Sequence, residues 1–284
     1  MTSAAADPLP RRRRWRISAS GGTGLAVVGF WLLMTLLGPS IAPHNAGNMV
    51  ASDILAPVSW QFPLGTDYLG RDMLSRILWG TRYTVGVALL ATLLACLMGV
   101  TLGLFAAVQG GLVDAAISRV LDAFISVPSK IFALVMVAAL GSSLPVLIGT
   151  VAVIYVPGCY RLTRSMAVNI NAMDFVTVAR ARGERTAFIM REEVLPNMAL
   201  PVLTDFGLRF VFVVLLLSGL SFLGVGIQPP DADWGSLVRE NLEGLRDGAP
   251  AVIMPAAAIA SLTIGMTLLI DNLPGRRRAA MEGH

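Results

Sequence analysis

Residues 174–197 read DFVTVARARGERTAFIMREEVLPN, from Asp174 to Asn197, and this charged stretch lies between strongly apolar segments. So many arginines and glutamates cannot lie in hydrocarbon, where each ionised side chain is costly, so the stretch must face water or a partner protein. The segments on either side then read as its membrane mount. Asp174 is placed to cap a short helix over Phe175–Arg182, its carboxylate accepting free N–H groups of the first turn. Gly183 suits the left-handed residue that ends such a helix. A second helical piece is expected from about Thr186 to Leu195, with Phe188, Ile189 and Leu195 as apolar contacts and Pro196 closing it. Two short helices joined at an angle make a compact protrusion of the kind that seats in a groove of another protein. Taken alone, the stretch also reads as a solvated loop whose arginines fix topology, so the rest of the chain must decide.

Apolar residues make up 55% of the chain and charged residues 14%, against about 25% charged in soluble proteins. That balance points to a polytopic membrane protein. Cys96 and Cys159 both fall in apolar runs, where they read as small apolar fillers rather than a disulfide or a nucleophile. His44 and His284 lie in different polar segments with no second ligand at a useful spacing, so no metal site is expected. The net charge of +4 does not point to nucleic acid, because the arginines fall where membrane topology puts them.

Apolar runs recur at about 25–41, 84–108, 123–141, 145–160, 199–223 and 249–271, each close to the roughly 20 residues that cross a bilayer as helix. The expected fold class is all-α, a polytopic membrane protein with six transmembrane helices. Residues 1–22 form a basic amino-terminal tail, 23–43 the first span and 44–82 an extracytoplasmic segment. Residues 83–273 form a core of five further spans carrying the polar loop 161–198, and 274–284 form a second basic tail. The first span could instead be a cleavable signal peptide, but its length and the spans that follow favour an uncleaved helix.

Orientation follows from counting Lys and Arg in the loops. Fifteen fall in 1–22, 109–122, 161–198 and 274–284, against five (Arg71, Arg76, Arg82, Arg239, Arg246) on the other side. Both termini and the 174–197 stretch are therefore placed in the cytoplasm. The acidic cluster Asp231, Asp233, Glu240, Glu243 and Asp247 falls outside. Gly99-x-x-x-Gly103 reads as a helix-packing pattern. Pro128, Pro145 and Pro157 mark span ends or kinks. Lys130 and Asp271 read as snorkelling groups, and Asp205 and Arg209 as an i, i+4 pair that is not assigned to substrate. There is no G-x-x-x-x-G-K-[ST], H-E-x-x-H or G-x-S-x-G motif, so the chain reads as a non-enzyme without a nucleotide site of its own.

The stretch 174–197 resembles the cytoplasmic EAA loop of ABC-importer permeases, through Ala179, Arg180, Ala181, Gly183, Leu195, Pro196 and Asn197. It departs from that pattern at Thr177, Val178, Arg182 and Glu184. Two other stretches, PLGTDYLGRDMLSR at 63–76 and LSFLGVGIQPPDADW at 220–234, together with GGLVD at 110–114, are similar to the C-type subunits of dipeptide, oligopeptide and nickel importers. The carboxyl end departs, with Asp271-Asn272-Leu273-Pro274-Gly275 and arginines where the family often has a longer acidic run. The resemblance implies the type I ABC importer fold and a bacterial cytoplasmic-membrane location. It also implies that the loop is a coupling helix seated in an ATPase cleft. The coupling residues would be Asp174, Ala179, Arg180, Ala181, Arg182, Gly183, Glu184, Leu195 and Pro196, with Arg180, Arg182, Glu184 and Arg185 reaching the ATPase. On the outer side it singles out Gly65, Asp67, Gly70, Arg71 and Asp72, which read either as a binding-protein contact or, with more in favour, as a self-paired plug over the span ends. Implied partners are a related B-type permease, one or two ABC ATPases that hold ATP and Mg, an extracytoplasmic binding protein and the bilayer. No cofactor is expected on this chain. Peptide is the favoured cargo, with nickel or metal chelates, opines and oligosaccharides as alternatives. A secondary transporter would need an inverted repeat, and an intramembrane enzyme a catalytic pair, and neither appears.

Overall fold

The computed structural model describes residues 18–246 and 248–273. The two basic tails, apart from the first residues of the helix that follows the first, lie outside the described residues, as does Asp247. The described residues are mostly helical, with α1 Ala19–Ile41, α2 Met73–Gln109, α3 Gly111–Ile125, α4 Ser129–Leu140, α5 Leu144–Asn171, α6 Asp174–Ala181, α7 Thr186–Phe222, α8 Trp234–Glu240 and α9 Pro250–Asp271. Among the described residues there is no named strand, only isolated bridges such as Met49 with Arg71.

Five helices, α1, α2, α5, α7 and α9, are long and apolar enough to cross a membrane. The third expected span, 123–141, is not one straight helix. It is a bent pair, α3 and α4, meeting at 85°, and a sixth span results if the pair is counted as one. The cause lies at Pro128, whose extended backbone (φ −56°, ψ 127°) precedes α4, and whose ring disfavours helix at the residue before it.

Three spans extend well past their apolar runs. Helix α2 begins at Met73 rather than near 84, so the last residues of the expected 44–82 segment belong to the helix. Helix α5 continues to Asn171, so Arg161 and Arg164 lie on a helix rather than in a loop. Helix α7 begins at Thr186 and runs without interruption through Pro196, so the second short piece expected to close at that proline is instead the first turns of the fifth span. A π-helical stretch, Ile189–Val194, precedes the proline, which then falls in the first turn of the α-helical ladder from Leu195. Pro196 has no N–H to donate, and it stands where the π-helical stretch gives way to the α-helix.

The helices pack through close contacts. Helix α2 lies directly on α5, and a methyl group at Gly99 would stand 2.3 Å from Cys159 Cβ, so this glycine serves intramolecular packing. Helix α1 lies along α9, with Trp31 Nε1 donating to Ser261 Oγ at 2.9 Å and Ser18 bonded to Asn272. The main core gathers Met73, Val85, Phe210, Leu217, Trp234, Leu237 and Leu262 from α2, α7, α8 and α9. A second core collects Leu104, Ala167, Val176, Ala179, Ile189, Val194 and Met198. This second core is where the charged stretch meets the spans.

Candidate functional site

Helix α6 has two turns, and its entry is set one residue earlier than expected. Met173, extended at φ −77° and ψ 152°, is the N-cap, while Asp174 is the first helical residue and makes no capping bond. The chain leaves α5 through a tight turn in which Met173 N–H donates to Ile170 O at 3.0 Å, and this brings the helix start forward. The Asp174 carboxylate still sits at the positive end of the helix dipole. At the other end, Gly183 has φ +82°. Its N–H donates to Arg180 O at 2.9 Å, and Glu184 N–H to Ala179 O at 3.2 Å. These two bonds form a Schellman motif, which needs a left-handed residue where Gly183 stands.

One side of α6 is fully buried. Val176 and Ala179 have no exposed surface and pack in the cluster shared by α2, α5 and α7. Arg180 reinforces this seat, its Nη2 donating to Val108 O at 3.0 Å and to Asn171 Oδ1 at 2.8 Å. Asn171 Nδ2 in turn donates to Ala107 O at 3.1 Å. The last carbonyls of α2, which have no partner inside their own helix, are thus capped from α5 and α6. Arg180, expected to reach a partner protein, is exposed, and one of its guanidinium nitrogens makes these bonds to α2 and α5. Arg182 faces Glu193 of α7 at 3.6 Å with its side chain 58% exposed, a pairing that contributes little.

The other side of α6 is open. Phe175 is 38% and Val178 55% exposed, and Asp174, Thr177, Ala181, Arg182, Gly183 and Arg185 are exposed around them, with Glu184 partly covered. Leu195 is half-buried and Pro196 exposed, one helical piece further on. The result is a small surface with an apolar centre and a charged rim of both signs, seated on the ends of three spans.

The outer motif is held by buried ion pairs and caps, with Asp72 Oδ1 left buried and without a hydrogen-bond partner. Asp67 is fully buried and accepts from the backbone of Leu69 and Arg71, from Arg71 Nε at 2.6 Å and from Arg76 Nη1 at 2.8 Å. Glu240 of α8 completes a ring of two arginines and two acids through the same Arg76 and Arg71. Buried charges are tolerated when so paired. Asp72 caps α2 by accepting from Ser75 N–H at 3.2 Å. Gly65 and Gly70, both at positive φ, lie against the carbonyls of Ala56 and Ala51, where a methyl group would stand 2.5 Å away. In GGLVD, Asp114 takes both prongs of the Arg164 guanidinium, which pins α3 to α5. In the 220–234 stretch, Asp233 and Ser236 form a reciprocal capping box at the start of α8, and Trp234 Nε1 donates to Ile77 O at 3.1 Å.

Three of these roles were missed in the sequence. Asn171 lies just before the charged stretch, Glu240 reads only as a member of the outer acidic cluster, and Glu193 lies within the stretch 174–197. Their partners are 9 to 169 residues away in sequence, and no local pattern signals them.

Fold and site define a multi-pass membrane permease whose charged helix is built into the ends of its spans. The family described as "Binding-protein-dependent transport system inner membrane component" matches residues 99–279, and the chain belongs to that family. It is 32% identical over 256 residues to the dipeptide transport system permease protein DppC of Haemophilus influenzae, covering 88% of this chain and 87% of the relative. It is 33% identical over 285 residues to the peptide transport system permease protein SapC of Escherichia coli, covering 97% and 95%. A solved amino acid ABC transporter with histidines shares the fold at a TM-score of 0.51 and 17% identity, over 72% of this chain and 93% of that one. The protein is a permease subunit of an ABC importer.

Proposed function

We propose that this permease carries peptides inward across a bacterial cytoplasmic membrane, and that α6 receives the stroke of an ATPase subunit. The carrying observation is the two-sidedness of α6. Its inner face is locked to α2, α5 and α7, while Phe175 and Val178 offer an exposed apolar centre. A helix held in this way moves the span ends when it is moved, and an apolar centre with a charged rim is the usual make-up of a protein contact. Peptide as cargo rests on the names of the relatives, which are dipeptide and peptide permeases.

On this reading the importer contains a second, related permease, one or two ATPase subunits that hold ATP and Mg, and an extracytoplasmic binding protein. This chain holds no nucleotide, and its two termini and α6 face the cytoplasm, as the arginine distribution favours. The surface available to the ATPase is Phe175, Thr177, Val178, Arg182 and Arg185, with Arg180, itself exposed, fastening α6 to the end of α2. Coexpression with the partner subunits tests the contact. Val178→Asp puts a charge at the apolar centre and should remove the ATPase from the purified complex while leaving the permease folded. Copurification of the ATPase at wild-type stoichiometry with Val178→Asp would refute this docking surface.

A further inference from the structure

Cys96 on α2 and Cys159 on α5 stand 63 residues apart, yet their Sγ atoms meet at 3.4 Å inside the helix bundle. Asp205 of α7 completes a group whose ligand atoms all lie within 4.8 Å of one another. We propose that Cys96, Cys159 and Asp205 form a binding site for one divalent, thiol-preferring ion of the zinc class, joining three membrane-spanning helices.

The geometry suits such an ion. Zinc-type ions bind sulfur at about 2.3 Å, so an ion between sulfurs 3.4 Å apart would see them at roughly 95°. A tetrahedral angle needs sulfurs about 3.8 Å apart, a change of a few tenths of an ångström. Asp205 is already oriented, because its Oδ2 accepts from Arg209 Nε at 2.5 Å, and Oδ1 lies outside that bond. An outer partner that fixes a ligating carboxylate is a regular feature of metal sites.

Two glycines make the room. Besides Gly99, which admits Cys159, a methyl group at Gly158 would stand 2.4 Å from Arg209 Nη1. The two cysteines are buried, at 7% and 1% exposure, whereas the side chains of Asp205 and Arg209 keep 18% and 14%. The cluster therefore opens to the surface on the α7 side, and that is the entry path.

Charge selects the ion. Without metal, two neutral thiols and one ion pair carry no net charge. On binding, the thiols release two protons to solvent, and two thiolates, one carboxylate, one guanidinium and a divalent ion are again neutral. A monovalent ion held by both thiolates would leave a net negative charge between apolar helices, which is costly. Three protein ligands leave a fourth position for water or a substrate group.

The test uses the full chain purified with its partner subunits under a non-thiol reductant, stripped with chelator and dialysed against Zn²⁺ or Cd²⁺. Wild type should retain one ion per copy, and Cd²⁺ should give a thiolate-to-metal ultraviolet absorption band. Cys96→Ser and Cys159→Ser should each weaken binding by about tenfold or more, and Asp205→Asn by less. The double variant Cys96→Ala, Cys159→Ala keeps small apolar side chains, so it should melt like wild type while losing the ion. Absence of the Cd²⁺ band from the wild-type protein, or wild-type stoichiometry in the double alanine variant, would overturn the site.

Discussion

Gly183 shows how much of the charged stretch rests on one backbone angle. At φ +82° an L side chain is strained by about 1–2 kcal/mol, and a β-branched one by more. Gly183→Val should therefore break the Schellman pair and free α6 from its fixed angle. ATP hydrolysis by the assembled importer should then lose its stimulation by loaded binding protein, and a stimulation assay reads this directly. Asp233 makes a second prediction. Its burial at the head of α8 raises its carboxyl above the ordinary carboxylate range, against the pull of the Ser236 N–H. A group raised in the fold contributes stability that is fully present below its ordinary value and is lost as pH rises through the raised one. Asparagine caps as well as aspartate without the charge. Asp233→Asn should melt at or above wild type at neutral pH, with the difference shrinking as pH falls into the carboxylate range, while Asp233→Ala should lose about 0.5–2 kcal/mol. At this scale, Gly183 was legible because glycine in that position has one main physical reason to be there. The bond of Arg180 to Val108 O was not, since it depends on a carbonyl of α2 that a linear reading cannot bring near.

Among the elements, the α2–α5 pair and the start of α7 carry the most weight. Gly99→Leu would place a side chain where even a methyl group meets Cys159 Cβ at 2.3 Å. Such overpacking costs about 1–3 kcal/mol, and the variant should show a lower melting temperature in detergent. The apolar runs revealed five spans because a membrane helix must be apolar along its whole length. They did not reveal where α5 and α7 extend past the hydrocarbon, since those turns are as charged as a loop. The third span misled as well. The run 123–141 reads as one span although Ser126, Pro128, Ser129 and Lys130 interrupt it, and the backbone bends there by 85°. Proline at 196 looked like an end but lies in the first turn of a helical ladder that a π-helical stretch resets.

For the whole molecule, the two largest cores among the described residues have different tasks. The larger ties α2, α7, α8 and α9 together, with the Asp67, Arg71, Arg76 and Glu240 ring tying the start of α2 to the end of α8. The smaller ties α6 to the opposite ends of α2, α5 and α7. A push on α6 therefore reaches three spans together through Val176, Ala179 and Arg180. The family was legible from motifs in chain order, but the fastening was not, because it is made of contacts between distant segments. The most direct test of this account is the amount of peptide taken up per ATP hydrolysed by the reconstituted importer, compared between wild type and Arg180→Ala. If Arg180 fastens α6 to α2, the ratio should fall by about tenfold, the size of one charge-assisted hydrogen bond, while the ATPase stays bound. An unchanged ratio with Arg180→Ala would contradict it.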